Sequence, residues 1–352
     1  MFTENMTINE VCGIIAANER ARKLFDIIYW KDNLEVIPKE ALDMSLLEVR
    51  EKVKMPWDAP FPVDELLDQV EFVMKEAESP EYRFIPLWKE QPEDFIPELQ
   101  PSTKESVALY THAKKSEGKR PIAILCPGGA YETHAVYGEG MLMAKELEAA
   151  GYQTFVFLYR VKPNFYPAPQ MDLAYAIKYV RANADYYGID PENVLVVGSS
   201  AGGHLCASLP IVYEEVDKLL MDELKHDGIK DYEKYEGISA CPNKVCLNYP
   251  VINLLTELHE GSALALAGTD MKLREKLSVD LQVDENYPKT FVWACADDDL
   301  VPASNAIRMG EALKAHGVNC QLEIHPTGNH GCCLAYGTSA EGWMDRMIQF
   351  MK

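Results

Sequence analysis

The segment VVGSSAGGHL, residues 196–205, sets Ser200 between glycines in the pattern G-x-S-x-G, Gly198-Ser199-Ser200-Ala201-Gly202. The strand-like run NVLVV leads in and the helix-compatible AGGHLCASL leads out. A turn this sharp needs glycine, because a β-carbon would strike neighbouring backbone, and it lifts the central serine to its apex. The helix start also brings unpaired N–H groups beside the serine oxygen. The chemistry implied is nucleophilic attack by Ser200. Ser199 occupies the variable position and is expected to point away from the apex. A dinucleotide loop would need G-x-G-x-x-G and a phosphate loop Gly-Lys-Ser/Thr; neither is present.

A serine nucleophile needs a base, the base needs an orienting carboxylate, and the developing oxyanion needs donors. Among the eight histidines, only His330 lies on a glycine-flanked loop after the last strand-like run, NCQLEIH. His204 is expected to pack inside the helix it begins, and His325 to neighbour the His330 loop. The run TFVWACA ends in Asp297-Asp298-Asp299. Position alone leaves these three acids equivalent, with a solvated loop as the bland alternative. For the oxyanion, the run PIAILC leads into Pro127-Gly128-Gly129-Ala130-Tyr131, and the amides of Gly129, Ala130 and Ala201 are the expected donors. Tyr131, Glu132, Arg160, Phe165 and Tyr166 follow these strands and are candidates for the substrate pocket; the alternative is pocket wall or core.

These loops need a rigid frame. Short apolar runs SVALYTH, PIAILC, QTFVFLYR, NVLVVG, KVCLNYPV, TFVWACA and NCQLEIH alternate with helical segments such as MLMAKELEAA, MDLAYAIKYVRANADYY and SNAIRMGEALKAH. Several of these helices stop at glycine: Gly151, Gly188 and Gly317. Such alternation implies a mostly parallel α/β sheet covered on both faces by helices. The first 80 or so residues differ, reading as amphipathic helices. Thr7/Glu10 and Ser45/Glu48 form capping boxes, and Pro62 precedes VDELLDQVEFVMKEA. The proline- and aromatic-rich 79–101 reads as an extended connector. The expected division is a helical region, 1–85, acting as cap, lid or dimerisation element, and a catalytic domain, 86–352.

Composition narrows the function. A net charge of −21 disfavours nucleic acid, which requires a basic face, and the one dense basic run, KKSEGKR at 114–120, reads as a solvated hairpin turn. There is no run of about 18 uncharged apolar residues, and MFTENMTINE lacks a signal peptide's basic and apolar parts. A cytoplasmic protein that does not bind membranes is therefore expected. The nine cysteines form neither a disulfide framework nor zinc-knuckle spacing, and His325/His330 miss the HExxH spacing. No metal and no cofactor are expected. Three amphipathic helices without an obvious core of their own would allow a homo-oligomer.

Taken together, CPGGAY, the block from YRVKPNFYPAP to VVGSSAGGHL, and ACADDDLVP through TGNHG resemble the α/β-hydrolase esterases of the acetyl xylan esterase and hormone-sensitive-lipase-like type, over residues 105–352. The resemblance implies the α/β-hydrolase fold with a Ser-His-Asp triad. Its D-x-x-V-P context selects Asp298 and its G-x-H-G context selects His330. Pro127 and Ala130 depart from the related H-G-G-G, a change the backbone donors should survive. The activity that the resemblance implies is hydrolysis of short-chain carboxylic esters, acetyl esters of sugars or oligosaccharides first among them. The rivals are a serine peptidase, an esterase for aryl, feruloyl or lipid esters, and a silent hydrolase fold used for binding.

Overall fold

The computed structural model describes residues 2–28, 37–54, 61–98, 101–112 and 118–352. The chain divides into two compact units, Met1–Arg83 and Phe84–Lys352. Most of the KKSEGKR run, residues 114–117, lies outside the described residues.

The first unit contains α1 (Ile8–Ala16), α2 (Glu19–Ile28), α3 (Leu46–Lys52) and α4 (Val63–Glu78). Both capping boxes form. The Glu10 amide donates to Thr7 Oγ1 at 3.1 Å while the Thr7 amide donates back to Glu10 Oε2 at 2.8 Å, and Ser45 and Glu48 repeat the exchange. α2 packs on α1 and α4, and α3 on α4. The helix faces that looked unpartnered in the sequence thus meet one another.

In the second unit an eight-stranded sheet runs in the order β1-β2-β4-β3-β5-β6-β7-β8. The strands are β1 (Tyr82–Pro86), which spans the boundary between the units, β2 (Ala108–His112), β3 (Arg120–Cys126), β4 (Gln153–Leu158), β5 (Ile189–Ser199), β6 (Lys244–Asn248), β7 (Lys289–Cys295) and β8 (Cys320–His325). β2 pairs with β4 antiparallel; every pairing from β4 to β8 is parallel. The helices are α5 (Met143–Ala149), α6 (Ala168–Ala182), the single turn α7 (Ala184–Tyr187), α8 (Ser200–His226), α9 (Glu260–Ala267), α10 (Met271–Leu277), α11 (Ser304–Ala315) and α12 (Trp343–Met351). This is the α/β-hydrolase architecture expected. Among the described residues no helix is long and apolar enough to cross a membrane.

Two local readings need correction. Residues 82–86 form an edge strand within the supposed connector; Phe84 is buried and its ring stacks on Tyr110 of β2 at 4.6 Å. The helix after Ser200 also continues far past AGGHLCASL, running 27 residues with Pro210 inside it. Its buried positions Val212, Val216, Leu220 and Leu224 keep one apolar stripe that extends the docking face.

The topology already locates the chemistry. Consecutive strands step outward from β3 to β4 on one side, while β5 lies on the other, so the crossover direction reverses between β3 and β5. The loops leaving β3, β5, β7 and β8 all emerge at the carboxyl edge of the parallel strands, and these are the loops carrying Gly129, Ser200, Asp298 and His330.

Candidate active site

Ser200 sits where the fully buried end of β5 turns into α8, and its φ of 53° is in the left-handed region that a non-glycine residue enters at a cost. Packing enforces the turn. A β-carbon at Gly198 would lie 2.3 Å from the Gly202 carbonyl oxygen, and one at Gly202 would lie 2.0 Å from the Cys126 carbonyl oxygen. Both glycines of the G-x-S-x-G pattern are therefore dictated by backbone passing over backbone.

The structure brings Ser200, His330 and Asp298 together. Ser200 Oγ lies 2.9 Å from His330 Nε2, and His330 Nδ1 lies 2.7 Å from Asp298 Oδ2. A carboxylate only accepts, so Nδ1 carries the proton and Nε2 is left to accept from the serine hydroxyl. Asp298 is fixed in turn. Its Oδ1 accepts from the amides of Leu300 at 3.0 Å and Val301 at 2.9 Å, and its side chain is wholly buried.

The three acids after β7 turn out to differ. The Asp297 carboxylate accepts from the amides of Asn329 at 2.9 Å and Gly328 at 3.0 Å, clamping the His330 loop to the β7 loop. Those amide bonds, Asn329's foremost, hold its carboxyl below the usual value. Asp299 takes no part in this clamp. Nothing in a run of three aspartates distinguishes these tasks; the distinction lies in which amides face each carboxylate.

On the β3 side the chain makes a tight turn in which the Glu132 amide donates to the Gly129 carbonyl at 2.9 Å. Ala130 and Tyr131 both have φ of 59°, so two side-chain-bearing residues occupy left-handed backbone in the turn that faces Ser200. The Gly128 amide is already taken by Glu139 Oε2 at 2.6 Å. Among the described residues the amides of Gly129, Ala130 and Ala201 meet no acceptor, so each is an open donor beside Ser200.

Of the pocket candidates, Tyr131 and Arg160 are corrected. Tyr131 is wholly buried, with its hydroxyl 2.9 Å from His204 Nδ1, while His204 Nε2 donates to the Leu277 carbonyl at 2.9 Å. Burial drives the His204 pKa down to about 4. The pair supports the loop from beneath, and His204 packs within the fold as expected. Arg160 is directed into the core, where its guanidinium forks onto the fully buried Asp172 at 2.7–3.0 Å. Asp172 also accepts from Trp88 Nε1 at 2.8 Å and from the Arg160 amide at 2.9 Å. Glu132 is exposed and paired with Lys162 at 2.8 Å. Phe165 is half exposed, and the Tyr166 hydroxyl meets Lys276 and Glu215 at 3.3 Å each.

Three residues escaped sequence reasoning. Buried Glu139 lies on a π-helical turn, Val136–Leu142. Tyr249, at φ of 36°, sets its ring 5.0 Å from the His330 ring at 66°. His259 caps α9 by accepting the Ser262 amide at 3.2 Å, and its pKa is lowered first by burial and then by the charge of His330, with Glu132 and Asp298 opposing. His259 thus stands in the field of the same groups, on a segment whose sequence carries no motif.

The chain is similar to known proteins over much of its length. The BD-FAE family model matches residues 108–313, a span that holds Ser200 and Asp298 and ends before His330. Endo-1,4-beta-xylanase B of Butyrivibrio fibrisolvens is 30% identical over 67% of this chain and 36% of its own length. The acetylxylan esterase of Xylanibacter ruminicola is 29% identical over 63% of this chain and 42% of its own. The chain therefore spans less than half the length of these two curated relatives. Among solved structures, an acetyl ester-xyloside bifunctional hydrolase from Caldicellulosiruptor lactoaceticus is 35% identical, with a TM-score of 0.63, over 76% of this chain and 92% of that one. The chain belongs to the BD-FAE family and has the α/β-hydrolase fold.

Proposed function

We propose that this protein is a serine esterase that removes short acyl groups, acetyl above all, from sugars or oligosaccharides. The observation that carries the reading is the hydrogen-bonded line from Ser200 Oγ through His330 to Asp298, lying beside open backbone amides. His330 Nε2 takes the hydroxyl proton as Ser200 Oγ attacks the ester carbonyl carbon. Asp298 holds the imidazole tautomer and stabilises the imidazolium as it forms. The amides of Gly129, Ala130 and Ala201 receive the tetrahedral oxyanion, each such donor being worth about 10²–10³-fold in rate. The imidazolium then protonates the departing alcohol, and water, deprotonated by the same histidine, releases the acid and restores Ser200.

The acyl and alcohol preferences rest on the relatives. An acetylxylan esterase and an acetyl ester-xyloside hydrolase are similar to this chain, which supports acetylated xylo-oligosaccharides as substrates. The test is turnover of p-nitrophenyl acetate, butyrate and octanoate, and acetate release from acetylated xylo-oligosaccharides, for the native protein and Ser200→Ala. Expected are a preference for short acyl groups, acetate release from the sugar, and a loss of at least about 10³-fold in the variant. Turnover surviving in Ser200→Ala, or confined to octanoate or to peptides, would overturn the proposal.

A further inference from the structure

Glu139 is a buried carboxylate with two polar contacts, and each reaches a different part of the machinery. Oε2 accepts the Gly128 amide at 2.6 Å, at the base of the turn that carries Gly129 and Ala130. Oε1 accepts the Tyr249 hydroxyl at 3.0 Å, and the oxygen of that hydroxyl accepts the Cys333 amide at 3.3 Å, three residues beyond His330. The Tyr249 ring meanwhile abuts the His330 ring. Glu139 is also close to the nucleophile: a β-carbon at Gly128 would lie 2.9 Å from Glu139 Oε2 and 2.7 Å from Ser200 Cβ. The π-helical turn is what delivers a carboxylate here, since its extra residue per turn re-aims one side chain into the sheet edge.

We propose that Glu139 is a positioning residue that ties the oxyanion turn to the histidine loop and supplies a negative charge beneath the His330 imidazolium. The proposal rests on the serine-esterase reading above. Both carboxylate oxygens face donors, the arrangement an ionised group prefers. Burial raises the Glu139 pKa, while the Gly128 amide, the positive charge of His330 and the Tyr249 hydroxyl oppose that rise. The groups facing His330 are Asp298 at Nδ1, Ser200 at Nε2, the Tyr249 ring, Glu139 and, from the α9 side, His259. Those facing Glu139 besides His330 are Gly128, Tyr249 and Tyr159, the last of which donates its hydroxyl to the Pro127 carbonyl at 2.6 Å. Of these groups Asp298 and Glu139 are the anions, and of the two only Asp298 touches the histidine.

The test measures kcat and KM for p-nitrophenyl acetate against pH in the native protein, Glu139→Gln, Tyr249→Phe and Ser200→Ala, with thermal unfolding of each. Glutamine can keep both contacts, accepting from Gly128 and, with that hydrogen bond reversed, donating to the Tyr249 oxygen, so Glu139→Gln removes the charge while leaving both atoms in reach. Its acid limb of kcat/KM is expected to move to lower pH by about half a unit to one unit, because the imidazolium loses an anionic neighbour. Tyr249→Phe keeps the charge and the ring but cuts the tether to Cys333. It should lower kcat by about 10-fold or more, with KM little changed and the limb in place. An unmoved limb in folded Glu139→Gln overturns the proposal, since a structural role alone lowers activity without shifting it. If Glu139→Gln does not fold, a native kcat in Tyr249→Phe overturns the tether. Activity persisting in Ser200→Ala instead refutes the underlying serine reading, whatever the Glu139 variants do.

Discussion

Gly202→Ala adds one methyl at the tightest backbone crossing of the site. The new carbon would lie 2.0 Å from the Cys126 carbonyl oxygen and 2.6 Å from that of Pro127, whereas real β-carbons essentially never come within 3.0 Å of such atoms. The end of β3 and the start of α8 must therefore part by about 1 Å. Neither contact is a side-chain tip that could swing aside. Sliding α8 the other way is also blocked, because the Gly202 carbonyl already rests where a Gly198 β-carbon would be, at 2.3 Å. The strain falls on the turn from Pro127 to Ala130, where the Gly129 and Ala130 amides are open, and on Ser200 itself. Misplacement of about 1 Å between nucleophile and donors costs about 10²-fold in kcat. Overpacking of this kind costs about 1–3 kcal/mol in stability, or a fall of about 1–5 °C in Tm for a protein of this size. Steady-state hydrolysis of p-nitrophenyl acetate and differential scanning calorimetry measure the two effects. Gly13→Ala in α1 is the control, since a methyl there meets nothing within 4 Å and should leave both readouts at or above native. Native kcat and native Tm in Gly202→Ala would refute the argument that backbone contact dictates this glycine.

Two further perturbations probe buried groups: Arg160, which the structure moves from pocket to core, and His204, which packs inside the fold. Arg160→Ala strands the wholly buried Asp172 carboxylate and should cost about 3–5 kcal/mol in chemical denaturation with KM unchanged in the folded fraction; a raised KM at native stability would return Arg160 to the substrate pocket. His204, with its pKa lowered from 6.5 to about 4 by burial, is neutral in the fold, so the unfolded chain binds the extra proton between those values. Its contribution is complete above pH 6.5 and is lost as pH falls towards 4, which at about 1.36 kcal/mol per pH unit amounts to about 3 kcal/mol. Denaturation curves across pH 4–7 should show that slope in the native protein and a shallower one in His204→Gln; equal slopes would show that another group governs the acid limb of stability.

What could be read from the sequence divides according to how far away the determining partner lies. Gly198 and Gly202 were legible because the steric demand on them is local: a strand must reverse into a helix within one residue. The capping boxes at Thr7 and Ser45 were legible for the same reason, each donor and acceptor lying three residues apart. The choice of Asp298 sits at the margin. Local physics offered three aspartates, and only the family pattern D-x-x-V-P separated them, yet the structure supplies a physical sense for that pattern. The amides two and three residues on, at Leu300 and Val301, both donate to Asp298 Oδ1, so the motif describes a turn that closes on its own first side chain.

Asp172, Arg160 and Glu139 were illegible because a charged residue in an apolar run has no local signature of its partner. Arg160 follows a strand at the edge that carries the active site, and from sequence it could equally reach a substrate or turn inward. The deciding fact is a carboxylate twelve residues away with an indole contributed by Trp88. Glu139 is more hidden still, for its partners lie 11 and 110 residues away and its aim depends on a π-helical turn that no hydrophobic periodicity marks. An ionisable side chain inside a protein is tolerated only where donors surround it. For Glu139 those donors come from the turn after β3 and from a tyrosine whose ring abuts His330: Glu139 cannot be removed without leaving the Gly128 amide and the Tyr249 hydroxyl unmet, and in the proposed mechanism neither of those can move without disturbing the turn that carries Gly129 or the loop that carries His330.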